Sequence, residues 1–300
     1  MNETNLLNLP RTWRLRTWVG LLIFLTGGLV VGTQLWTAVR SNAAVWNALL
    51  GGSAAVLATA LGTLPVLFSH RFTARFQDSL LGFGAGIMLA ASIFSLMLPS
   101  FEAARHSSLA GGTWSAASVV LTAVVLGALA LFKLDRILPH EHTLPAQGAP
   151  DARQLRRTWL FVIAIAFHNL PEGLAIGVGY AGTETMRANA LTMGIAIQDV
   201  PEGLIIASAL LAAGYRRSVA VTLGRASGLV EPLGAVVGAS VVGHSAALLP
   251  WGLGFAAGAM LFVIFHEFLP ELRGKKHQNH GYVGLAAGFL LMTILDAYLA

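Results

Sequence analysis

Two stretches, Phe167-His168-Asn169-Leu170-Pro171-Glu172-Gly173 and Ile197-Gln198-Asp199-Val200-Pro201-Glu202-Gly203, decide how this chain is read. They share Pro-Glu-Gly at a separation of 30 residues, with Asn169 matching Asp199. Each lies inside an apolar run, roughly 158–180 and 188–213. Runs of about 20 apolar residues are long enough to cross the hydrocarbon core of a bilayer as helices. Ionisable side chains are costly there and mark functional positions by default. His168 and Glu172 are four apart and share a helix face; Gln198 and Glu202 repeat the relation, and Asp199 and Glu202 are three apart. Each proline removes a backbone donor and exposes a carbonyl one turn back, at Phe167 and Ile197. Consecutive spans run in opposite directions. The doubled motif is therefore an inverted repeat of proline-broken helices, the pointer to a transporter's substrate site.

The surroundings fit. Of 300 residues, 55% are hydrophobic and 11% charged, with mean hydropathy +0.69; a soluble domain carries about 25% charged residues. So large an apolar surplus cannot be hidden in one soluble core. Apolar periodicity predicts nine spans, roughly 17–37, 44–69, 79–99, 113–132, 158–180, 188–213, 218–243, 247–270 and 281–299. The expected fold is an all-α polytopic membrane protein with short connections. Only 133–157 is a longer loop, polar and carrying Pro139, Pro145 and Pro150.

Lys and Arg set the orientation. With the N-terminus cytoplasmic, 15 of the 19 fall on the cytoplasmic side and 3 (Arg40, Arg105, Arg187) outside, leaving Arg225 within a span. The C-terminus is then periplasmic or extracellular. The net charge of +5 and pI of 10.1 reflect anchoring to the lipid of the inner leaflet rather than nucleic-acid binding. The first span reads as a retained anchor, so that 1–40 stands apart from a transporter domain over 41–300; cleavage near Ser41-Asn42-Ala43 would leave the other spans' orientation unchanged. The absence of cysteine excludes disulfides and thiolate metal sites.

At 1.5 Å per residue, His168 lies roughly 16 Å from Arg157, Gln198 roughly 16 Å from Arg187, and Glu231 of the seventh span roughly 20 Å from Arg217. All fall near the bilayer midplane. Four carboxylates in a low-dielectric region need protons or cations to neutralise them. Imidazole with carboxylate and no sulfur suits zinc, iron or manganese, and adjacent carboxylates are able to bridge two ions. Arg225 is either a counter-ion or a packing residue. A weaker set on the cytoplasmic side comprises Asp135, His140, Glu141 and His142 in or beside the loop, His266 and Glu267 near the inner end of the eighth span, and Glu271, His277 and His280 after them. It reads as an exit relay or regulatory site, against the alternative of solvated loop residues. Asp296 reads as structural. Glycines such as Gly82, Gly84, Gly86, Gly252, Gly254 and Gly258 read as helix-packing faces, which also permit a homodimer.

Other functions fit less well. His266-Glu267-Phe268-Leu269-Pro270 begins like a metallopeptidase signature, but Pro270 stands where the second histidine belongs. No phosphate-binding loop is present. A proton-coupled carrier of an organic solute is the alternative that clustered carboxylates allow; the His168/Glu172 pair favours metal.

On the His168–Gly173 and Gln198–Gly203 motifs and the histidine-bearing loop before the first, the chain over roughly 44–300 resembles the ZIP family, the zinc- and iron-regulated transporter-like proteins, and is similar to its bacterial members. The resemblance implies eight core helices in a 3+2+3 inverted repeat, plus the extra N-terminal span. It also implies a binuclear metal site from His168, Asn169, Glu172, Gln198, Asp199, Glu202 and Glu231. The expected cargo is zinc, or cadmium, iron or manganese, carried as substrate toward the cytoplasm across a bacterial inner membrane by a sliding bundle. No enzyme activity and no cofactor are expected. Gln198 departs from the histidine that many members have there, and glutamine is a poorer zinc ligand. The loop also holds fewer histidines than in many members.

Overall fold

The computed structural model describes residues 36–68, 72–106, 113–137, 169–212, 214–273 and 277–299, with isolated positions at 26, 33 and 34. Regular structure among them is helical throughout. Eight helices form the body: α1 (Ala43–Phe68), α2 (Ala74–His106), α3 (Thr113–Ile137), α4 (169–182), α5 (Thr185–Ala212), α6 (Arg217–Gly243), α7 (Ala246–Leu272) and α8 (Gln278–Leu299). All but α4 are long and apolar enough to cross a bilayer, seven candidate spans among the described residues. The chain is an all-α polytopic membrane protein. Most of the first predicted span, and the 158–168 part of the fifth, lie outside the described residues.

Local chemistry sets several boundaries. Asn42 has extended backbone and its side-chain oxygen accepts from the amides of Ala44 (3.0 Å) and Val45 (3.3 Å), which starts α1. Thr73 caps α2 in the same way through Phe76. Two expectations shift. First, α5 continues through Pro201 instead of breaking there. The break occurs in α6, whose helical halves Arg217–Ser227 and Val230–Gly243 are separated at Gly228-Leu229. That break puts Glu231 in the first turn of the second half, where the exposed amides of a helix N-terminus favour an acid. Second, α2 and α7 widen into π-helical segments, Ala91–Met97 and Ile264–Phe268. Each ends against a proline, in matching stretches Ile93-Phe94…Leu98-Pro99 and Ile264-Phe265…Leu269-Pro270.

Between helices in lipid there is little hydrophobic drive, so close backbone approach at small residues does the work. A Cβ on Gly82 or Gly86 would lie 1.9 or 2.0 Å from the carbonyl oxygens of Gly281 and Leu285, and one on Gly284 or Gly288 2.1 or 2.0 Å from those of Ser79 and Phe83. The register rises together on both helices, so α2 and α8 run parallel. Gly127 and Gly258 join α3 to α7 in the same manner, and Gly173 and Gly177 join α4 to α6. Of the glycines read as packing faces, all but Gly84 are thus occupied within the chain.

These pairings sort the helices into two bundles. One contains α1, α4, α5 and α6; the other contains α2, α3, α7 and α8. They meet where α5 lies against α2 and α8. Exchanging α1 with α6, α2 with α7, α3 with α8 and α4 with α5 turns the pair α2·α8 into α7·α3, and α4·α6 into α5·α1. All four pairs are present. This is the 3+2+3 inverted repeat.

Packing this tight sorts glycines by position. Gly86→Ala forces its Cβ into the Leu285 carbonyl, at an overpacking cost of about 1–3 kcal/mol, and should lower the thermal unfolding midpoint of the detergent-solubilised protein. Gly84→Ala, whose nearest contact is the Gln198 Cβ at 4.0 Å, should leave that midpoint unchanged.

Candidate metal site

Asn169 and Glu172 on α4, Gln198, Asp199 and Glu202 on α5, and Glu231 on α6 converge at the centre of the first bundle. Glu172, Asp199 and Glu202 each offer one carboxylate oxygen, and the three lie within 4.8 Å of one another. Glu231 is tied to the group by Asn169, whose Nδ2 donates to Glu231 Oε1 at 2.9 Å. Gln198 Nε2 donates to Glu172 Oε1. Asn169, Glu172, Gln198, Asp199 and Glu231 are buried, whereas Glu202, one turn nearer the end of the bundle marked by Arg216 and Arg217, is half-buried.

Two amide groups hold one oxygen of each of two carboxylates and leave the other oxygens bare. Among the described residues, Asn169 Oδ1, Glu172 Oε2, Gln198 Oε1, both oxygens of Asp199 and Glu231 Oε2 are buried without a hydrogen-bond donor. Buried polar atoms are ordinarily paired, and an unpaired charged oxygen costs more than a neutral one. Six such oxygens from five residues on three helices form a cation-shaped deficit. Their chemistry is that of hard and borderline divalent ions. Arg225 does not supply the missing charge in this arrangement, since it lies on the exposed side of α6. His168 lies outside the described residues.

One site residue was not singled out by the sequence reading. Thr59 of α1 is fully buried, and its single O–H is shared between Glu231 Oε1 (3.3 Å) and the Ala55 carbonyl (3.2 Å), both within hydrogen-bond reach of Oγ1. A signal existed: Leu57-Ala58-Thr59-Ala60-Leu61-Gly62 echoes Leu229-Val230-Glu231-Pro232-Leu233-Gly234, 172 residues on.

On the side of the site away from Arg217, buried Met88, Leu191, Ile195, Met260 and Met292 fill the junction of the bundles. Near that end Arg187 pairs with Glu102 at 3.7 Å, joining α5 to α2. Asp296 accepts from Ser95 Oγ at 2.8 Å, from α8 to the π segment of α2.

Part of the second predicted set also assembles, in the other bundle. Asp135 of α3 and His266 and Glu267 of the α7 π segment bring ligand atoms within 4.8 Å of one another. The His266 ring stacks on Phe262 (4.8 Å, 15°), Phe132 packs edge-on to Phe262, and the Arg136 guanidinium lies 4.5 Å above Phe132. His277 meets His280 edge-on at 6.0 Å and is not in that group of three. His140, Glu141 and His142 lie outside the described residues.

Known proteins share this chain's pattern. A family model described as ZIP zinc transporter matches residues 139–296. The zinc transporter ZIPB of Bordetella bronchiseptica is 46% identical over 85% of this chain and 82% of its own length. The zinc transporter GufA of Myxococcus xanthus is 39% identical over 80% and 93%, and the human zinc transporter ZIP11 is 30% identical over 86% and 98%.

Asp199 is the sharpest test of the oxygen deficit, since neither of its oxygens has a donor. Asp199→Asn keeps its shape and removes a charge. It should weaken binding of zinc or cadmium by at least about tenfold in calorimetric titration, and raise the unfolding midpoint of the metal-free protein by relieving like-charge repulsion.

Proposed function

The chain belongs to the ZIP zinc transporter family, a family of transporters and not enzymes, and on that premise we propose that it carries zinc across the membrane toward the cytoplasm. The observation that carries this reading is the set of six donorless buried oxygens at the centre of one bundle. Zinc is the substrate. His168, Asn169, Glu172, Gln198, Asp199, Glu202 and Glu231 are its ligands, and the shared carboxylates accommodate two ions side by side. Cadmium, iron and manganese fit the same donor chemistry.

The described ligands sit in α4, α5 and α6, which belong to one bundle, while the other bundle contributes none among the described residues. A bundle holding its whole ligand set is able to take the ion with it when it slides against its neighbour. The apolar layer of Met88, Leu191, Ile195, Met260 and Met292 lies on the outer side of the site, and half-buried Glu202 lies one turn nearer the basic end. The arrangement suits an inward-facing state. The Lys and Arg distribution supports a cytoplasmic N-terminus in a bacterial inner membrane. On release the ion passes Asp135, His266 and Glu267 as an exit relay. The clustered carboxylates alone would allow an organic-solute carrier, but the zinc-transporter relatives do not favour it.

In liposomes, zinc entry should saturate with concentration and fall to the protein-free leak in Glu172→Ala. Asp135→Asn should slow entry while leaving the affinity of the central site unchanged. Entry undiminished in Glu172→Ala by a folded protein overturns the reading.

A further inference from the structure

Resting on the metal-site reading above, we propose that Thr59 is a positioning residue of the site: its hydroxyl fixes the Glu231 carboxylate so that one oxygen is held and the other is left for the ion. Two independent observations meet at this residue.

The first is contact. Glu231 Oε1 accepts from Thr59 Oγ1 and from Asn169 Nδ2, while Glu231 Oε2 has no donor among the described residues. A carboxylate on a flexible side chain gains a defined orientation when one oxygen is anchored from two helices, here α1 and α4. Outer partners of this kind commonly change metal affinity about 10–100-fold when removed.

The second is the inverted repeat. The carbonyl of Glu231 abuts Gly173, where a Cβ would sit 2.3 Å from it; the carbonyl of Thr59 abuts Gly203, where a Cβ would sit 2.1 Å from it. Gly173 and Gly203 are the closing residues of the two Pro-Glu-Gly motifs. The same register pairs Gly234 with Leu170 and Gly62 with Val200. Thr59 therefore occupies on α1 the place that Glu231 occupies on α6. The two halves put different chemistry at equivalent points, a carboxylate on one side and a neutral hydroxyl on the other. A second carboxylate at this point would add a fifth negative charge to the cluster. The hydroxyl instead donates to its counterpart, so the site gains order without gaining charge.

The pairing also serves the bundle. Thr59 lies 3.3 Å from where a Cβ on Gly228 would stand, at the break in α6. The close approach of α1 to both α5 and α6 at this level is what brings the hydroxyl within reach of Glu231.

The test uses the full chain in liposomes, with zinc as the probe, measuring KM and maximal rate for Thr59→Val, Thr59→Ser and Glu231→Ala, and for Thr59→Val combined with Glu231→Ala. Valine keeps the shape and removes the donor. Thr59→Val should raise KM about tenfold, Thr59→Ser should restore it to within about twofold, and the metal-free unfolding midpoint of Thr59→Val should match wild type. In the Glu231→Ala background, read as zinc affinity by calorimetric titration so that lost transport does not hide the comparison, the valine should add nothing, because the group it positions is gone. A KM unchanged by Thr59→Val overturns the proposal, as does an equal penalty in both backgrounds, which is the mark of a packing role alone. Should Thr59→Val not fold, Thr59→Ala carries the same comparison. Undiminished zinc transport in Glu231→Ala is a different failure: it removes Glu231 from the ligand set and with it the reading on which this proposal rests.

Discussion

Carboxylates packed into the interior of a helix bundle repel one another and have lost their water, and the remainder of this structure is arranged around that conflict. Amides of Gln198 and Asn169 and the hydroxyl of Thr59 satisfy one oxygen of Glu172 and of Glu231. They leave the others, with both oxygens of Asp199, without donors among the described residues. Complete satisfaction by protein donors would give an inert polar core. Partial satisfaction leaves a demand for positive charge, which on the proposed function a divalent ion meets.

Such a cluster requires that three or four helices approach closely without bulky side chains between them. Glycine supplies this: Gly173 against Glu231, Gly203 against Thr59 and Gly62 against Val200 bring α1, α4, α5 and α6 to backbone contact around the acids. The second bundle is stitched by its own glycines, along α2·α8 and α3·α7. Between the bundles the contact differs in kind. Gly194 of α5 faces the flexible Met292 side chain, and Met88 and Met260 lie in the same apolar layer. Methionine adapts its shape readily. Rigid glycine seams inside each bundle and a methionine-rich junction between them suit two bodies that move relative to one another.

Much of this was legible in the sequence. Long apolar runs are local signals, and seven of the nine predicted spans coincide with candidate spans here, shifted at their ends where α2 starts at Ala74 and α3 extends to Ile137. The doubled Pro-Glu-Gly motif pointed to the residues that cluster in the candidate site and to the inverted repeat. What escaped were features set by partners far along the chain. Pro201 reads as a breaker, yet α5 runs through it, while α6 breaks at Gly228-Leu229. The π segments of α2 and α7 follow no periodicity rule, although Ile-Phe…Leu-Pro recurs in both. Thr59 resembles any threonine in an apolar helix until its partner, 172 residues away, is seen. Asp296, read as structural, does accept a hydrogen bond, from Ser95.

On the proposed function the ion's shell is built from midplane carboxylates rather than from histidines of the polar loop. Zinc K-edge X-ray absorption of the purified, zinc-loaded protein addresses this directly. The expected first shell is oxygen and nitrogen at about 2.0–2.2 Å, carboxylate-rich and with no more than one imidazole per ion. A shell dominated by several imidazoles, or one matching fully hydrated zinc, would contradict it.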